Sequence, residues 1–313
     1  MNKQRRLFLN QFSVMAGIVA LNKPLTSIAA VSKHIHTLHA AETAVTIYHT
    51  DSLNGMTGAG FDDMGGIKQV KTLLSKQETG GLLMDAGNFL NSSRSLAQQR
   101  EMINIMNNAG YHAAGIGRNE LANGQAHLAS LVPQMKFKLV NCNYRFDAAL
   151  ASLVNPYIIV NTGKFKVGVT GVGQQVHGVV CNDAIKCANR IARLLKEDEK
   201  CDLVICLAHL GDGQHVSVNN QTLAAASENI DMIIGGDGRQ VFRSPKVVKN
   251  QLKREVVLSQ TAWNGLMLGR MVFNFENGKQ KQGFKGKYFI VGHPEDRPFE
   301  TAFTRIRAKQ NVA

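Results

Sequence analysis

The chain has 313 residues, 44% hydrophobic and 19% charged, enough apolar matter for one large core or two modest ones, and these are the counts of a soluble globular protein. Its net charge is +13; the first 41 residues hold Lys3, Arg5, Arg6, Lys23 and Lys33 and no acid, which leaves +8 on the rest. A scattered surplus of this size suits an anionic ligand, a phosphate-rich partner or simply solubility, and without interleaved aromatics it argues against a nucleic-acid surface.

In chain order the first feature is Gln4-Arg-Arg-Leu-Phe-Leu-Asn10, followed by a mildly apolar stretch from Phe12 to Leu21 that is too short to span a bilayer. It reads as a signal peptide, and paired arginines followed by x-Phe-Leu resemble the bacterial twin-arginine signal, which implies export to the periplasm or cell envelope. Small residues allow cleavage after Ala29 or Ala40. Residues 1–41 are therefore expected to be signal and linker, 42–293 the folded body, and 294–313 a basic tail, either a docking arm or a frayed end. No transmembrane segment is expected in the mature chain.

Short β-branched runs then alternate with helical patterns. Strands are expected at Ala44 to His49, Gly81 to Asp85, Lys138 to Asn141, Tyr157 to Asn161, Lys166 to Val172, Asp202 to Ala208, Met232 to Ile234, Glu255 to Ser259 and Arg270 to Phe275. Helices are expected at Gly66 to Ser75, Ser95 to Asn108, Glu120 to Leu131, Ala184 to Lys196 and Asn219 to Glu228. The second helix carries its own signals: Ser95-Leu-Ala-Gln98 is a capping box, Met102, Ile105 and Met106 share an apolar face, and Gly110 ends it. Continuously apolar strands separated by helices imply an α/β layered fold with the sheet covered on both faces. The runs around Leu258 and Phe273, joined through Asn264-Gly265, read as adjacent antiparallel strands. Five cysteines without a C-x-x-C pair indicate neither a zinc finger nor a redox motif; Cys201 and Cys206 read as small hydrophobes, and a Cys181–Cys187 disulfide has no support.

Functional residues in such folds lie on loops after strand C-termini. Five loops qualify: Thr50-Asp-Ser-Leu-Asn-Gly55, Asp85-Ala-Gly-Asn-Phe89, Gly117-Arg-Asn-Glu120, Ala208-His-Leu-Gly211 and Gly235-Gly-Asp-Gly-Arg239. In order and spacing they resemble the loops of the N-terminal metallophosphoesterase domain of bacterial 5′-nucleotidases, within the calcineurin-like phosphoesterase superfamily, over about residues 43–275. The resemblance implies that superfamily's four-layer α/β sandwich, two mixed sheets flanked by helices. It also implies an active site with two metal ions bridged by a carboxylate, which generate hydroxide and clamp phosphoryl oxygens.

Most positions that would hold those ions are substituted. The Asp and His of the first loop fall on Ser52 and Asn54, the bridging Asp of the second on Asn88, and the Asn ligand and leaving-group His of the third on Arg118 and Asn119. In the last loop two His become Asp237 and Arg239, and only His209 stands unchanged. A guanidinium does not give up its proton to bind a metal, so loss of the dimetal centre is expected. His49 and Asp51 lie one residue out of phase and are expected to face away from the site.

Two readings follow. One is a pseudoenzyme, a scaffold that either keeps an anion-binding pocket for phosphate or a phosphorylated ligand, through Arg118, Arg239, Asn119 and His209, or fills the site by pairing an arginine with Asp237. The other is a working phosphoric-ester hydrolase of nucleotide catabolism, with one divalent ion, Mn or Zn, on His209, Asp237 and acids such as Asp85, Glu120 or Asp212; otherwise Asp85 and Glu120 shape loops. Gly58-Ala-Gly60 and Gly171-Val-Gly173 start like a dinucleotide fingerprint but lack its spacing. The resemblance also implies a second, base-gripping domain near where the sequence ends, which a separately encoded partner would supply.

Overall fold

The computed structural model describes residues 35–38, 43–211, 218–238, 240–276, 280–293 and 298–310. The signal stretch, Asp212 and Arg239 lie outside the described residues. The strands are β1 Ile35–Leu38, β2 Ala44–Thr50, β3 Leu82–Asp85, β4 Ala113–Ala114, β5 Lys138–Leu139, β6 Tyr144–Arg145, β7 Tyr157–Thr162, β8 Phe165–Gly173, β9 Val180–Cys181, β10 Leu203–His209, β11 Met232–Gly235, β12 Lys246–Lys249, β13 Glu255–Ser259, β14 Met267–Phe275 and β15 Lys281–Ile290. The helices are α1 Ile67–Ser75, α2 Leu96–Ala109, α3 Arg118–Leu121, α4 Gln125–Leu131, α5 Ala148–Ala151, α6 Ala184–Arg193, α7 Asn220–Ala226 and α8 Phe299–Gln310.

Two mixed sheets carry the fold, in the orders β1-β7-β8-β10-β11-β13-β12 and β15-β14-β2-β3-β4-β5, with β6 and β9 forming a small ribbon. The parallel strands β8, β10, β11 and β13 are almost wholly apolar because both faces are covered. Along β2 the side chains alternate: Val45 and Ile47 join the core between the sheets, while Tyr48 packs with α1 and α2 on the outer face. Ser95 and Gln98 form the capping box that starts α2, and Gly110 closes it in the left-handed region at φ 84°. Cys201 and Cys206 are buried, and all five cysteines are free thiols.

Four expectations need correction. β13 and β14 are not neighbours, since residues 260–266 carry the chain from one sheet to the other, where β14 pairs with β2 and β15. The single helix expected at Glu120 to Leu131 is two, because Gly124 at φ 87° breaks it. Ile35–Leu38, assigned above to the linker, pairs in parallel with β7. The tail is neither arm nor frayed end: α8 buries Ala302, Phe303 and Ile306 in the main core, and Arg305 pairs with Asp62.

Candidate functional site

The C-terminal ends of β2, β3 and β4 in one sheet and of β8, β10 and β11 in the other point to one place, and their loops interlock there. Ser52 N–H donates to Gly87 O at 3.1 Å, Asn54 N–H to Asn88 O at 2.8 Å, and Gly211 N–H to Gly236 O at 3.0 Å. His209, the last residue of β10, sits at the centre and is fully buried. Glycine is required around it: a Cβ on Gly117 would lie 2.7 Å from His209 Nε2, and one on Gly236 2.5 Å from Nδ1.

Ser52, Asn54, Asn88 and Asp237 all hold left-handed backbone conformations, with φ between 47° and 57°. Asn and Asp tolerate that region and Ser does so less readily, so the turns are set by the surrounding loops. Glu120 does much of the setting: its buried carboxylate accepts from the N–H groups of Asn88 (2.8 Å), Leu90 (2.9 Å) and Gly117 (2.8 Å). Asp85 accepts from Gly87 N–H at 2.8 Å and from the Thr50 hydroxyl at 2.6 Å. Both acids therefore shape loops.

The remaining polar side chains bond to one another. Arg118 Nη2 donates to Asp237 Oδ2 at 2.9 Å, and Gln174 Nε2 donates to the same oxygen at 2.6 Å. Asn88 Oδ1 accepts from Asn119 N–H at 2.8 Å, Asn119 Nδ2 donates to Asn54 Oδ1 at 3.1 Å, and Asn54 Nδ2 to Asn264 Oδ1 at 3.0 Å. Asp237 Oδ1 is 4.0 Å from His209 Nε2, a buried nitrogen with no hydrogen-bond partner; on the other side of the ring Nδ1 lies 3.3 Å from Ala86 O.

Burial dominates the electrostatics. It lowers the pKa of His209 to about 4, with the Arg118 charge adding to the effect and Asp237 opposing it. Burial raises Asp85 to about 7, and Asp51 and Glu120 also lie above the usual carboxylate range for that reason, Asp51 with added repulsion from Asp85 and Asp237.

Asp51 corrects a further expectation, because it does not face away. It is 2% exposed, its Oδ1 accepts from the Ser52 hydroxyl at 2.7 Å, and a Cβ on Gly236 would meet that oxygen at 2.9 Å. His49 also faces inward, between the sheets, where Nε2 lies 2.7 Å from Ser259 Oγ. Sequence reasoning missed Gln174 and Asn264; Gln174 is the first residue after β8, so its place at a strand end was its only signal.

No family model matches the chain. Snake venom 5′-nucleotidase of Gloydius brevicauda is 27% identical over 227 residues, 67% of this chain and 38% of that protein. A 5′-nucleotidase precursor from Thermus thermophilus superposes with a TM-score of 0.68 at 21% identity, over 86% of this chain and 59% of that one. The calcineurin-like phosphoesterase YfkN of Bacillus subtilis gives 0.66 at 21% identity, over 86% and 97%. The chain is a homologue of the 5′-nucleotidases. It spans about two fifths of the length of the snake-venom relatives it matches.

On this 5′-nucleotidase scaffold the metal pair that the family resemblance implies is not fitted by the residues present. Among the described residues no group of three or more His, Cys, Asp or Glu is placed to hold a metal ion. At two of the expected ligand positions stand a guanidinium and an amide, and the Asp237 carboxylate is already engaged by Arg118 and Gln174. Asn88 presents a neutral carbonyl oxygen where a bridge between two cations needs a carboxylate.

Proposed function

We propose that this 5′-nucleotidase homologue is an exported pseudoenzyme, in which a polar network of its own side chains replaces dimetal phosphoester hydrolysis and the fold serves as a scaffold for a partner. The observation that carries the reading is the Asp237 carboxylate, held by Arg118 at 2.9 Å and Gln174 at 2.6 Å where the resemblance calls for a metal-binding imidazole. The scaffold version draws more support than the phosphate-binding one. Arg118, the cation that a phosphate site would use, is held by Asp237 instead. A domain of the 5′-nucleotidase C-terminal type is the partner we propose, because the match to this chain covers only part of the relatives' length. Export rests on the paired arginines at Arg5 and Arg6.

The test is elemental analysis of the purified protein after incubation with Mn and Zn, alongside hydrolysis of nucleoside monophosphates and bis(p-nitrophenyl) phosphate. Essentially no bound metal and no turnover is the expected result. Two ions per chain with turnover would overturn the reading.

One observation favours a second reading, a hydrolase with a single divalent ion. His209 Nε2 is buried without a partner 4.0 Å from Asp237 Oδ1, too long for a hydrogen bond and wide enough for an ion between two donors. One ion per chain, lost together with turnover in His209→Gln, is its signature.

A further inference from the structure

The residues that lead into β12, the edge strand of one sheet, lie beside β15, the edge strand of the other: a Cβ on Gly286 would come within 2.6 Å of Pro245 Cγ. Between them and the first turn of α8 opens a groove of about 350 Å³, with Pro245, Tyr288 and Phe299 as apolar lining and Arg243, Lys287 and Glu300 among its polar residues. Arg243 is committed to Glu300, with Nε 2.8 Å and Nη2 2.6 Å from Oε1.

Four further cations have no such commitment. Lys246 and Lys249 on β12 and Lys285 and Lys287 on β15 are exposed, and among the described residues none of them forms an ion pair. Lys246 rests over the Phe242 ring at 4.2 Å and Lys287 over Phe289 at 4.8 Å. β15 hydrogen-bonds to β14 on one side, and its stretch from Gln282 to Lys287 is mostly exposed, so among the described residues one row of its main-chain donors and acceptors is open.

We propose that this edge docks an extended acidic peptide segment of a partner protein, which adds a strand beside β15, sets its carboxylates against these lysines and places one apolar side chain in the groove. Lysines on an edge strand also guard against edge-to-edge pairing. A guard, however, needs no side-chain-sized groove beside it, and the groove together with the open main-chain row is what favours a peptide over other polyanions. Main-chain pairing supplies affinity and the groove supplies selectivity, as in other strand-addition complexes. The charge set speeds encounter and makes binding weaken as salt rises.

The probe is a fluorescein-labelled peptide rich in Asp and Glu with one central Phe, titrated by anisotropy. Binding is expected, reduced by about tenfold or more, some 1.4 kcal/mol or more, in the double variant Lys285→Glu/Lys287→Glu. The control Lys136→Glu/Lys138→Glu, which reverses two exposed lysines at the opposite edge of the same sheet, is expected to change it less than about twofold. A peptide N-methylated at alternate residues is expected to bind poorly, because it keeps the charge and loses the strand pairing. Thermal melts check that the variants fold, and these exposed positions carry no core packing. No binding, equal loss in the control pair, full binding of the N-methylated peptide, or tighter binding of polyuridylate RNA or phosphatidylserine vesicles would each overturn the proposal. None of these outcomes bears on the metal-site reading.

Discussion

Arg118 and Asp237 join loops from opposite sheets, one after β4 and the other after β11, through a single contact of 2.9 Å. The Arg118 side chain is 59% exposed and Asp237 30%, so the pair sits at the mouth of the site above the buried His209. An exposed pair contributes little stability, about 0–1 kcal/mol. Arg118→Ala is therefore expected to leave the melting temperature nearly unchanged. Its charge does reach the imidazole, and removing it is expected to raise the pKa of His209 from about 4. Titration of the His209 ring by NMR reads the direction; an unchanged or lower value would show that the guanidinium is not positioned as described.

His209 links the site to stability in acid. Its folded pKa of about 4 lies below the ordinary value of 6.5, so the unfolded chain takes up a proton that the folded one refuses. The stability from the neutral ring is intact above pH 6.5 and is lost as pH falls toward 4, at up to about 1.4 kcal/mol per pH unit. His49, lowered to about 3 by burial, adds loss over the same window. His209→Gln removes one of these titrations, and urea denaturation at pH 7 and pH 5 is expected to show a smaller acid loss in the variant than in the parent.

Asp85 works with the opposite sign. Burial raises its folded pKa to about 7, so the folded state keeps a proton that the unfolded state releases near pH 4. Its contribution falls as pH rises from about 4 to about 7 and is flat above that. Asp85→Asn keeps a carbonyl that accepts from Gly87 N–H, presents the Thr50 hydroxyl with an N–H donor where the carboxyl oxygen accepted, and carries no titration. The variant is expected to gain stability relative to the parent between pH 4.5 and pH 7, measured by denaturant midpoint. A constant difference across that range would mean Asp85 is charged throughout.

The parts of this molecule that sequence reading reached are those with one dominant signal. β8, β10 and β11 announce themselves as mostly apolar runs because both faces are covered, and α2 through the Ser95–Gln98 capping box. β15 does not, because only Phe284, Tyr288 and Ile290 pack on the main core, while Gln282, Gly283, Lys285, Gly286 and Lys287 interrupt the apolar pattern. The site loops were legible by spacing alone. What each residue does there was not, because contacts such as Arg118 with Asp237, 119 residues apart, depend on how two sheets meet. Asp51 illustrates the error: it follows the same alternation as Val45, Ile47 and His49, and that inner face is the side on which the site lies.

The C-terminal helix gives the plainest test of the core. Residues 294–313 carry enough Arg and Lys to suggest a loose arm, yet Phe303 is 5% exposed and Ile306 fully buried within the main cluster. Phe303 stacks on Phe299 with ring centroids 5.4 Å apart, and Lys309 lies 4.4 Å from the Phe61 ring, so α8 covers the loop that leads into α1. Removing a buried aromatic ring leaves a cavity its neighbours only partly fill, at a cost of about 3–5 kcal/mol. Phe303→Ala is expected to lose about 3 kcal/mol in urea denaturation, toward the low end because the site is near the surface. Arg307→Ala, on the exposed face of the same helix, is expected to change stability by less than about 0.5 kcal/mol. Equal, small effects from both would show that the helix is not docked on the core.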